Sequence, residues 1–97
     1  MRVISKKVLR EFWIIHKDAE QPLRTWYSEA SKAQWRTPNQ IKEDYVKASI
    51  ISNNRVVFNI CGNKYRLIVK INYERSWIFI RFIGTHKACT KIDATII

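Results

Sequence analysis

The residues of this chain whose spacing could do chemistry are mostly cations. Eighteen Lys and Arg stand against eight Asp and Glu, a formal net charge of +10 on 97 residues. In the second half, Arg55, Asn59, Lys64, Arg66, Lys70 and Arg81 recur in segments rich in β-branched residues, with His86 shortly after them. A polar group of this kind suits a phosphodiester. RNA can be cut without a protein nucleophile, because the 2′-OH attacks the adjacent phosphate. The protein must then supply a proton acceptor, a proton donor for the leaving 5′-oxygen, and cations around the phosphorane. Of the two histidines, His16 falls at the end of a helical segment, where it interacts favourably with the helix C-terminus. His86, beside the basic group, is the better acid–base candidate. Strict strand alternation points it to the core side, so this role requires the chain to bend at Gly84; a structural histidine is the other reading.

Other chemistries find little to work with. The chain has no Gly-rich phosphate loop, and no Ser/His/Asp grouping or carboxylate pair that its strands bring together. Metal-dependent nuclease chemistry wants carboxylates where this chain has cations, so metal-independent transfer without a cofactor is expected. Cys61 and Cys89 lie far apart in no zinc-like spacing and read as two reduced thiols. The net charge exceeds the 2–8 or so that keeps a small domain soluble, which points to a polyanionic partner.

The elements that must position these groups change character once, near Ser49. Before it, apolar residues follow helical spacing. Val8, Leu9, Phe12, Trp13 and Ile15 form one stripe, and Leu23, Trp26, Tyr27, Ala30 and Ala33 a second. Asp18 with Gln21 three positions on has capping-box spacing, and Thr37-Pro38-Asn39-Gln40 repeats the start signal for a short third helix ending about Tyr45. Met1–Ile4 reads as an opening strand.

After Ser49 the chain reads as an antiparallel meander. Two-residue turns at Asn53-Asn54, Gly62-Asn63 and Glu74-Arg75 set its register. Ile60 then faces Tyr65, Phe58 faces Leu67 and Val56 faces Val69; Ile71 faces Ile78, Val69 faces Ile80 and Leu67 faces Phe82. Every pair is apolar, and that face must pack on the first two helices. The opposite, concave face collects Arg55, Asn59, Lys64, Arg66, Lys70 and Arg81, with Arg81 diagonal to Arg66. Val57, Ile68, Phe79 and Ile83 interrupt this group, and no acid falls within it. Cations neutralising phosphates beside rings that stack on bases suit single-stranded RNA. The alternative is a plain solvated strand face. The expected architecture is therefore a single α+β domain over residues 1–97, helices on one face of a mainly antiparallel twisted sheet. No apolar run approaches the 20 or so residues of a membrane span, and the N-terminus lacks a secretory pattern, so a cytoplasmic protein without a membrane partner is expected.

Two stretches resemble a known family. Phe58-Asn59-Ile60-Cys61-Gly62-Asn63-Lys64-Tyr65-Arg66-Leu67 is similar to the strand–turn–strand signature of HigB-type toxins, and Ile80-Arg81-Phe82-Ile83-Gly84-Thr85-His86-Lys87 to the segment that closes their sheet. The resemblance implies a RelE-like fold and an mRNA interferase of a type II toxin–antitoxin system, cutting translated mRNA with the ribosome as platform. It also implies a helix-turn-helix antitoxin of the HigA type, through which the complex sits on operator DNA. Carried over residue by residue, Lys64, Arg66, Arg81 and His86 become catalytic candidates. Arg66 and Arg81 would stabilise the transition state, Lys64 bind phosphate or transfer a proton, and His86 act as acid or base. Asn59 also matches a position of the family pattern, and with Arg55 and Lys70 of the basic face and the neighbouring Lys87 it makes up the RNA-binding candidates. One departure stands out: after Thr-His the pattern continues through two residues to Tyr-Asp, where this chain has Cys89 and Thr90. The thiol lacks the ring and reach of Tyr, which keeps open a non-cleaving module that binds RNA, ribosome or antitoxin.

Overall fold

The computed structural model describes all residues, 1–97. Its elements run β1 (Arg2–Ile4), α1 (Lys6–Ile15), a 3₁₀ turn (Lys17–Ala19), α2 (Glu20–Lys32), α3 (Pro38–Asp44), β2 (Ser49–Ile51), β3 (Arg55–Ile60), β4 (Tyr65–Asn72), β5 (Trp77–Thr85) and α4 (His86–Cys89). The helical half owes its shape to narrow apolar stripes. On α1 only Leu9 and Trp13 are buried. Val8 and Ile15, read from the sequence as part of that stripe, lie on its outer flank and are exposed. On α2 the buried residues are Leu23, Trp26 and Ala30. The Met1 ammonium donates to Ala30 O, Ser31 O and Ala33 O at 3.3, 2.9 and 2.6 Å, a cation set at the C-terminus of α2. Helix α3 starts as expected: Pro38 is its first residue and Thr37 Oγ1 accepts from Gln40 N–H at 3.4 Å. Trp35 Nε1, donating to Asp44 at 2.9 Å, and Tyr45 Oη, donating to Glu29 at 2.5 Å, tie α3 to α2.

The five strands form one sheet in the order β1-β5-β4-β3-β2, antiparallel except for β1, which runs parallel to β5. The β3–β4 register is the expected one, with Asn59 opposite Arg66 and Ile60 opposite Tyr65. The turns differ in detail. Positive φ falls on Asn53 and Asn54 as anticipated, but Ile51 pairs with Arg55, so that loop holds three residues instead of the expected two; at the next turn positive φ falls on Cys61 and Gly62 rather than Gly62 and Asn63. The β4–β5 ladder begins as expected, with Ile71 opposite Ile78 and Val69 opposite Ile80. It then shifts by one residue: Ile68 pairs with Phe82 and Leu67 with Ile83, leaving Arg81 as an extra residue on β5. The expected Leu67–Phe82 pair is therefore replaced. A bulge of this kind inverts the facing of everything beyond it. Ile83 joins the core side, where it packs against the main cluster, and Phe82 moves to the other face.

The core lies between the helices and one sheet face. It includes Leu9, Trp13, Leu23, Trp26, Trp35, Ile41, Phe58, Leu67, Val69, Ile71 and Ile78. Trp26, Trp35 and Tyr45 surround Phe58 with ring centroids 5.1–6.1 Å away. The face away from α1–α3 is not wholly open. The C-terminal segment crosses it, with Asn53 Nδ2 donating to Thr95 O at 3.0 Å and Arg55 Nη2 to Ile97 O at 2.8 Å. On this face Val57 and Ile68 are buried, outside the main cluster.

Candidate functional site

At the end of the sheet where β5 runs into α4, two of the expected residues meet. Arg66 stands opposite Gly84 on β5 and Asn59 on β3. Thr85 then caps a single helical turn, its Oγ1 accepting from Ala88 N–H at 3.1 Å. His86 opens that turn; its N–H donates to Lys64 O at 3.3 Å, and its Nε2 lies 2.7 Å from Arg66 Nη2. A guanidinium has donors only, so this contact requires Nε2 to be the acceptor and leaves the ring proton on Nδ1. The result is a basic nitrogen beside a fixed cation.

The sequence argument asked Gly84 to bend His86 out of the core side. The bulge at Arg81 does this instead, by inverting alternation before the strand ends. Gly84 has another role: a Cβ there would come within 2.6 Å of Phe82 Cζ, so the missing side chain makes room for the Phe82 ring on the face that carries Arg66.

Lys64 behaves differently from expectation. Its ammonium pairs with Asp18, and Tyr65 Oη donates to the other Asp18 oxygen at 2.6 Å. Asp18 therefore caps nothing; α2 starts at Glu20 without a side-chain cap. The carboxylate instead reaches across to the β3–β4 turn, so the basic group does have an acidic neighbour. Hydrogen bonds from Lys64 and Tyr65 hold the Asp18 carboxyl below its ordinary range, and the Asp18 hydrogen bond raises Lys64 above its own. A lysine so paired remains a cation at neutral pH and is ill-suited to proton transfer. The same turn contains the Lys64 carbonyl that receives His86 N–H, so Asp18 braces the backbone on which His86 is hung. His16 belongs here too: it stacks on Phe12 at 4.3 Å and meets the Tyr65 ring at 5.4 Å, as packing rather than chemistry.

The remaining candidates spread outward from this pair. Arg81, on the bulge, holds its guanidinium 5.5 Å from the Phe79 ring centre, so Phe79 rather than Arg66 is its neighbour. Lys70 is opposite both Arg55 and Phe79, further along the sheet. Arg55 is engaged by the C-terminal segment through Ile97 O. Lys87 is exposed on α4. Cys89 is half-buried, three positions after His86 on the same helical turn and hence on the same side of it. The Nε atoms of Arg55 and Arg66 are shielded and have no acceptor in the protein. Such a donor left unpaired costs about 1–3 kcal/mol, a deficit an anion could relieve.

His86 is exposed and Arg66 half-buried, and neither lines any of the four surface grooves. The largest groove, about 490 Å³, lies between α2, Tyr45 and the Asn59–Cys61 edge of β3. His, Cys, Asp and Glu side chains form no group of three able to share a metal ion. No helix is long and apolar enough to cross a membrane.

Helices on one side of a mainly antiparallel sheet, with cations and a histidine at the closing end of the other, define a small α+β domain of the RelE-like kind. The chain belongs to the HigB toxin family, described as the RelE-like toxic component of a toxin–antitoxin system, whose sequence profile matches residues 19–92. No curated protein matches the chain. Membership makes this protein a toxin and implies an antitoxin as its partner.

Proposed function

We propose that this toxin is an endoribonuclease, an mRNA interferase that cuts translated mRNA on the ribosome by metal-independent phosphodiester transfer. The observation that carries the reading is the 2.7 Å contact between Arg66 and His86. On substrate binding, the scissile phosphate takes Arg66, freeing His86 Nε2 to accept the 2′-OH proton. The 2′-oxygen attacks phosphorus, the P–O5′ bond breaks, and the departing oxygen takes a proton from solvent. The products are a 2′,3′-cyclic phosphate and a 5′-hydroxyl. Arg66, whose Nε lacks an acceptor, stabilises the phosphorane. Asn59 and Lys87 flank the pair and bind the strand; Lys70 and Arg81 serve RNA further along the sheet. Lys64 acts as a braced cation. Arg55 contacts RNA only if the C-terminal segment yields it.

The exposure of His86 supports the ribosomal part of the reading. An exposed base does little by itself to orient RNA or exclude water, and a platform holding the mRNA would supply both. The antitoxin is proposed to be a helix-turn-helix protein of the HigA type, acting in the cytoplasm and carrying the complex to operator DNA.

One observation favours a second reading. Cys89 occupies the α4 position, on His86's side, where the family pattern has Tyr. If proton delivery needs that ring, this chain binds without cutting. Primer extension on a translated reporter after induction decides between them. New 5′ ends with the chain as given, lost in His86→Gln, support the nuclease. Ends only with Cys89→Tyr/Thr90→Asp support the binding module.

A further inference from the structure

We propose that the β5 row Arg75–Trp77–Phe79–Arg81 is a second RNA-binding site, a stacking ladder that takes the single-stranded segment flanking the scissile phosphate. This rests on the RNA reading above, shares Arg81 and Lys70 with it, and adds Arg75, Trp77 and Phe79. Trp77 and Phe79 share a face with Asn72 and Lys70 of β4 and with Arg2 and Ile4 of β1. Their ring centroids are 5.9 Å apart at 89°. Arg75 lies 5.3 Å from the centre of the Trp77 ring and Arg81 5.5 Å from that of Phe79. The row thus runs cation, ring, ring, cation: Arg75 in the turn before β5, then Trp77, Phe79 and Arg81 at two-residue steps on it, about 6.7 Å each along a strand.

Exposed cation–π pairs also occur as simple ring covers. Here the surroundings speak for a ligand. The same face adds Arg2 and Lys70, and the acid nearest in sequence is Glu74, in the β4–β5 turn. Trp13, Trp26 and Trp35 are each at most 5% exposed, whereas Trp77 is outside the buried set and on the helix-free side of the sheet. Bases stack on such rings without regard to sequence, and the guanidiniums bind phosphates while keeping their ring contacts. Lys70, level with Phe79, is four residues along β4 from Arg66, roughly 13 Å. One extended strand therefore spans ladder and cutting site in a few nucleotides. The bulge at Arg81 joins the two, since the ladder ends on it and the register beyond it brings His86 to Arg66.

Trp77 also provides the probe, because the other three indoles are buried. The full chain carrying His86→Gln, which prevents cutting, is titrated with an eight-nucleotide single-stranded oligouridylate. The expected result is quenching of the acrylamide-accessible tryptophan emission, lost in Trp77→Leu. Affinity should fall about tenfold in Trp77→Leu and in Phe79→Leu, with the salt dependence unchanged. Trp77→Phe should restore it, which separates stacking from misfolding. Arg75→Ala or Arg81→Ala should lower the salt slope by about one. Binding that is indifferent to Trp77→Leu and Phe79→Leu would overturn the ladder. So would absent quenching while a co-expressed antitoxin shields Trp77 from acrylamide, which would make this face a protein interface. Cutting by the unmodified chain is measured separately: cutting without quenching removes the ladder alone, and quenching without cutting removes the nuclease alone.

Discussion

At the residue scale, the proposed mechanism divides the work between a reacting pair and the groups that hold it. Arg66 and His86 touch each other, and Asp18 touches neither, yet it braces the turn whose carbonyl receives His86 N–H. Two consequences are measurable. Arg66→Ala and His86→Gln should each lower cleavage by about 10²-fold or more, without a comparable loss of thermal stability. The Asp18 brace should show in the pH dependence of stability. A carboxyl lowered on folding contributes stability above its unfolded value of 3.8, and that contribution is lost as pH falls through the folded value. Lys64, raised on folding, contributes below 10.5 and loses the contribution as pH rises through its raised value. The brace is therefore intact throughout the neutral range, and Asp18→Asn should flatten the acid limb of the melting-temperature profile. An unchanged acid limb would remove the brace. The sequence offered Asp18 only as a helix cap, because its partners lie 46 and 47 positions away and no local pattern announces them.

At the element scale, the decisive feature is one extra residue on β5. Turn chemistry and apolar alternation were enough to set β3 against β4, and β4 against β5 as far as Val69 and Ile80. They could not disclose the bulge, since Phe82 and Ile83 are both apolar and either reading of the strand looks consistent. Its effect falls on the residues beyond it: Phe82 changes face, and His86 comes out on the face of Arg66. Deleting Arg81 should leave a regular ladder that keeps Ile68 opposite Phe82 and Arg66 opposite Gly84, so His86 stays on the face of Arg66 and cleavage falls no further than in Arg81→Ala. A deletion variant that no longer cuts while Arg81→Ala still does would mean that the register past the bulge does not by itself place His86. Helix α4 also went unread from sequence, although Thr85 is a favoured cap residue. Thr85→Ala should cost about 0.5–2 kcal/mol in thermal unfolding, as the loss of such a cap does. The apolar stripe of α1 was overdrawn, because periodicity counts residues while the sheet and α2 cover only Leu9 and Trp13 completely.

At the scale of the whole molecule, charge and layering were plain in the sequence and the surface relief was not. The helix-bearing face and the basic face separate as expected, but the latter is exposed at His86 and crossed by the chain's own C-terminal segment near Arg55. With a net charge of +10, affinity for RNA should fall steeply as salt rises, whether or not cleavage occurs. Binding nearly flat across that range would remove phosphate contacts as its basis. Weak activity on free RNA and strong activity on translated mRNA would accord with a site that has cations and an exposed base. The measurement closest to the central claim is the chemistry of the RNA ends made on translating ribosomes by this chain and by its His86→Gln variant. The Arg66–His86 mechanism predicts 5′-hydroxyl and cyclic-phosphate ends from the former and none from the latter. Ends of the same kind and amount from both would contradict it.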